Sequence, residues 1–130
     1  MPHKLCRVLG FALLLAGFAG FVSPNLLGMH LTAVHNVVHL VSGGLALYFG
    51  FANPAGARGF LLGFGSIYGL LAVMGFVAPQ MFGRIIGHGD GAADARRFLV
   101  DNVVHVLITA ACFVGAFAGA PRKTPIGYGR

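Results

Sequence analysis

The sequence predicts an all-α fold: a four-transmembrane-helix bundle built from two tandem two-helix repeats, one integral membrane domain over residues 1–130. Three observations lead there. The 130 residues are 57% hydrophobic and only 9% charged, with no Trp and no Glu, whereas a soluble domain of this size carries about 25% charged residues. Four apolar runs approach the roughly 20 residues that a helix needs to cross a bilayer. The same short patterns also occur twice, in the same order, in the two halves of the chain.

The first run, about 5–22, follows a basic start, "MPHKLCR", and has the outline of a secretory signal peptide. The repeat argues that it is retained, because it supplies the counterpart of the third run. "SPN" at 23–25 separates it from the second run, about 31–52. "NPAGARG" at 53–59 precedes the third, about 60–78. "APQ" at 78–80 and a Gly-rich loop precede the fourth, about 98–120, and 121–130 is expected to be a cytoplasmic tail. The runs are continuous and do not alternate apolar with polar residues, which argues for helices over strands.

The repeat pairs "GFVSPNLLG" (20–28) with "GFVAPQMFG" (75–83), and "VHNVVH" (34–39) with "VDNVVH" (100–105). Span 1 then corresponds to span 3 and span 2 to span 4, with an insertion around "GHGDGAADARR" in the second copy. A duplicated two-helix unit returns to its starting side, so the copies are parallel, related by a pseudo-twofold axis along the membrane normal. Lys4, Arg7, Arg58, Arg122, Lys123 and Arg130 fall on one side and Arg84, Arg96 and Arg97 on the other. By the positive-inside rule both termini are cytoplasmic, in a bacterial inner (plasma) membrane. The basic residues sit at span ends without interleaved polar aromatics, so the net charge of +6 points to the lipid bilayer as partner and to no nucleic acid.

Small residues recur at four-residue spacing, as in Ala12, Ala16 and Gly20; Ala46 and Gly50; Gly59 and Gly63, with Gly65 and Gly69; and Ala111, Gly115 and Gly119. Lipid gives helices no hydrophobic drive to associate, so close approach over small residues has to supply it. Packing within one bundle is the first expectation; docking on other membrane-protein subunits or in a homo-oligomer is the second. Cys6 and Cys112 belong to no metal or redox motif and read as unpaired thiols acting as small hydrophobes.

The candidate site is a polar column. On span 2 one helical face reads His35, His39, Ser42, Ala46 and Gly50; on span 4 it reads Asp101, His105, Thr109, Cys112 and Ala116. Asn36 and Asn102 lie beside these columns. Ionisable groups are costly in hydrocarbon, so both faces should point into the bundle, with His39 and His105 facing each other roughly 10 to 12 Å below the outer helix starts.

Three readings of the column stay open. In the structural one, Asn36, Asn102 and the histidines hydrogen-bond between spans, at about 0.6 to 2 kcal/mol each. In the cofactor reading, His39 and His105 hold a haem or a pigment, or His35, His39, Asp101 and His105 close around zinc or iron. In the third, the column begins a proton or small-solute path that runs out at Ser42, Thr109 and Cys112. No residue fits a catalytic motif: the serines sit in no nucleophile elbow, and "GHGDG" follows no strand.

The paired "HNVVH" and "DNVVH" segments, each entering a Gly/Ala-rich span, resemble a group of small bacterial four-helix membrane proteins known as domain of unknown function 4383. The resemblance extends from span 1 to the end of span 4. It implies four spans in a bacterial inner membrane and brings no established activity. His35 stands where the commoner form has an acidic residue.

The expectation is therefore a non-enzymatic membrane protein, a packing or accessory subunit or partner-binding module with no cofactor. The alternative is a His-ligated haem, pigment or metal protein with a redox role.

Overall fold

The computed structural model describes residues 1–25, 31–85 and 95–118. His30, His88, the loop over 86–94 and the tail with Tyr128 lie outside the described residues; the last three residues of "GHGDGAADARR" open α5. All regular structure among the described residues is helical: α1 (Pro2–Val22), α2 (Ala33–Leu47), α3 (Ala57–Val77), α4 (Pro79–Ile85) and α5 (Ala95–Ala118). Counting the turns that extend them, four helices are long and apolar enough to cross a membrane: Pro2–Val22, Ala33–Ala52, Pro54–Val77 and Leu99–Ala118.

The ends follow from local chemistry. Pro2 occupies the first turn of α1, where its missing N–H costs nothing, so the helix starts earlier than residue 5. The Thr32 side chain accepts a hydrogen bond from the His35 backbone N–H at 3.2 Å and caps α2. The second span then changes pitch: Tyr48–Ala52 form a π-helical turn. Asn53 ends it, and its side chain accepts from the Gly56 N–H at 3.2 Å to start a short 3-10 turn (Pro54–Gly56) that leads into α3.

Helix α4 corrects the sequence reading, which took "APQ" as a break followed by a loop. Pro79 is instead the first residue of a new helix; proline ends one helix and suits the first turn of the next.

The packing is by hairpins. Helix α1 runs along α2 and α3 along α5, while α1 makes shorter contacts with α3 and α5. The outward faces carry Phe11, Leu15, Phe18, Val41, Leu70 and Leu107, all exposed, as lipid contact requires. Within the first hairpin the close approach is over Gly10, Gly17 and Gly43: a methyl on Gly43 would come within 2.9 Å of the Gly10 carbonyl oxygen. The row expected on α1 was Ala12, Ala16 and Gly20. The buried row is Gly10, Leu13, Gly17 and Gly20, and Ala12 is exposed. Gly59 and Gly63 face open space and pack against nothing.

An apolar core of Cys6, Leu13, Leu61, Phe64, Tyr68, Cys112 and Ala116 fills the bundle toward the α1 start. Both cysteines are buried and free.

Candidate functional site

Where α1 ends and α2 begins, the bundle interior turns polar. His35, Asn36 and His39 of α2 and Asp101, Asn102 and His105 of α5 are all buried, none more than 6% exposed. All six residues singled out from the sequence thus share the interior.

The asparagines have equivalent seats. A methyl added at Gly20 of α1 would run into the Asn36 amide, and one added at Gly75 of α3 would run into the Asn102 amide. Each glycine is the notch that admits the asparagine of the partner helix in its own hairpin. Asn36 Nδ2 donates to the Leu31 carbonyl at 3.5 Å. The amide oxygen lies over the glycine, where Cα–H···O contacts of the kind common at helix–helix interfaces are the donors at hand.

The histidines lie nearer the contact between hairpins. His35 and His39 rings are 4.4 Å apart, and His35 stands 6.2 Å from His105. Tyr68 and Phe82 meet the His105 ring edge-on at 5.3 and 5.8 Å. Three sides of that imidazole are therefore occupied by rings. Phe82, from α4, is fully buried and packs on the layer at His105.

Sequence reasoning missed Tyr68, Phe82 and the two notches. A signal existed for Tyr68: Phe60, Phe64 and Tyr68 recur every four residues, and they form a ladder with centroids 5.1 and 4.4 Å apart that ends on His105. Gly20 and Gly75 open the two copies of the repeated pattern, and Gly20 was also read in a row of small residues, but neither was read as the seat of an asparagine.

The polar layer is rich in acceptors. Among the described residues, Asn36 Oδ1, Asn102 Oδ1, both Asp101 carboxylate oxygens, and the Nδ1 atoms of His39 and His105 are buried without a hydrogen-bond partner. Such groups are costly to leave unsatisfied. The polar column does not continue down the bundle. Thr109 Oγ1 donates to the His105 carbonyl of its own helix at 2.8 Å. Beyond it lies the apolar core. Among the described residues no group of three or more His, Cys, Asp or Glu side chains is arranged to hold a metal ion.

Comparison with known proteins gives no family model, no curated protein and no solved structure that matches the chain.

Proposed function

We propose that this is a non-enzymatic, multi-pass protein of a bacterial inner membrane that serves as a packing or accessory subunit, its polar layer acting as an internal lock. The observation that carries the reading is the burial of all six polar side chains behind Phe82 and above an apolar core. Chemistry on a substrate needs an approach to reactive groups, and here the histidine rings pack on one another and the asparagines press on the glycines of their partner helices. The matched seats of Asn36 on Gly20 and Asn102 on Gly75 support two tandem copies of one hairpin. Four spans of unknown activity also agree with the resemblance to domain of unknown function 4383.

Both termini are cytoplasmic in this proposal, which puts the polar layer in the outer half of the membrane. Single-cysteine labelling, in a background lacking Cys6 and Cys112, tests the orientation. A cysteine replacing Gly89 should react with an impermeant reagent from outside; reaction only from the cytoplasm would invert the molecule.

The alternative, a His-ligated metal or haem with a redox role, has one observation in its favour: the unpartnered Nδ1 atoms and the Asp101 carboxylate. An absorption spectrum and metal analysis of detergent-purified protein separate the two readings. The lock predicts no Soret band and no stoichiometric iron or zinc. A stoichiometric metal or haem that is lost on His105→Gln would replace it with the alternative, because an amide is a poor substitute for imidazole at a metal.

A further inference from the structure

The first two turns of α1 and the last two of α5 leave between them an open groove of about 460 Å³, lined mainly by Leu5, Val8, Ala111, Val114 and Gly115, with Lys4 as its charged side chain. The groove exists because the two helices touch at one place and diverge around it. Gly115 already lies so close to Leu5 that a methyl there would collide, while Ala111 and Gly115 have too little side chain to fill the space beside the contact.

The charge at this end is one-sided. Lys4, Arg7 and Arg58 all belong to it, at the start of α1 and the start of α3. The chain has only three acidic side chains, Asp90, Asp94 and Asp101, and Asp101, the one among the described residues, lies toward the opposite end of α5. Two of the cations are engaged within the fold. Arg7 Nε donates to the Gly50 carbonyl at 2.9 Å and its guanidinium lies 4.3 Å from the Phe51 ring centroid; Arg58 stands 6.0 Å from Phe117. Lys4 is exposed at the mouth of the groove, and among the described residues no carboxylate side chain lies at its end of the bundle to answer it.

We propose that this groove seats an acyl chain of an anionic phospholipid whose phosphate is held by Lys4. An apolar trench ending in a cation at the membrane surface matches the two parts of such a lipid, and basic sites beside transmembrane helices recognise acidic headgroups. A second copy of the chain is the poorer occupant, because docking by this face would bring Lys4 against further cations of the same end.

Native mass spectrometry of the detergent-purified protein, titrated with phosphatidylglycerol and with phosphatidylcholine of the same chains, tests this. Phosphatidylglycerol should be retained at least about fivefold better, the factor expected for one lysine near the surface. Lys4→Gln should bring it down to the phosphatidylcholine level. Ala111→Phe, at an exposed position, should fill the groove and reduce retention of both lipids. Equal retention of the two lipids by the unaltered protein would overturn the proposal, as would indifference to both substitutions. A dimer that Ala111→Phe breaks would overturn it too, by assigning the groove to a second copy.

Discussion

At the scale of single residues, the firmest structural feature is the seating of two asparagines on two glycines. Asn36 and Asn102 are each 1% exposed and press on Gly20 and Gly75. A methyl at either glycine must displace an amide that has no room to retreat, and overpacking of this kind costs about 1–3 kcal/mol. Gly20→Ala and Gly75→Ala should each destabilise by that amount in reversible unfolding from mixed micelles. The penalty should shrink when Asn36→Ala or Asn102→Ala accompanies the glycine change in the same hairpin, and an undiminished penalty would show that the amide is not what the methyl meets. The six polar residues were legible in the sequence because charge and amide stand out in an apolar run. The notches were harder to find. Rows at four-residue spacing drift around a helix, so Ala12 and Ala16 looked as suitable as Gly10 and Gly17, and only packing against α2 separates them.

At the scale of elements, the spans were legible because a bilayer sets their length, while two departures from straight helix were not. The π-helical turn Tyr48–Ala52 coincides with a contact between helices that periodicity does not register: Arg7 of α1 reaches the Gly50 carbonyl and lies over Phe51. Charge-assisted hydrogen bonds contribute about 1.5–3 kcal/mol. Arg7→Ala should cost about 1–2 kcal/mol in the same unfolding measurement, and Arg7→Lys should recover only part of it, since an ammonium does not reproduce the guanidinium's stacking. Helix α4 hid behind Pro79, a residue that both stops and starts helices. Its role rests on Phe82, fully buried against His105. Phe82→Ala should destabilise by about 1–3 kcal/mol, less than the 3–5 kcal/mol of a water-soluble core, because lipid lowers the transfer contribution and leaves mainly the cavity. Solvent exchange at the His35 and His105 ring protons should also accelerate, and an unchanged exchange rate would mean that α4 is no cover.

At the scale of the whole molecule, the sequence placed the polar faces of spans 2 and 4 inside one bundle and expected His39 opposite His105. The structure adds His35 to that pair: its ring stands 6.2 Å from His105 and 4.4 Å from His39. Helical periodicity puts His35 and His39 on one face equally well, and the depth of one hairpin against the other is a tertiary property. The central claim is that this layer joins the hairpins structurally, and a double-mutant cycle on His35→Gln and His105→Gln is its most direct measurement. With unfolding free energies from reversible unfolding in micelles, each single change should cost about 1 kcal/mol or less, and the two should couple by about 0.5–1 kcal/mol. Additive effects with no coupling, in protein that keeps its helical content, would contradict a lock between the hairpins.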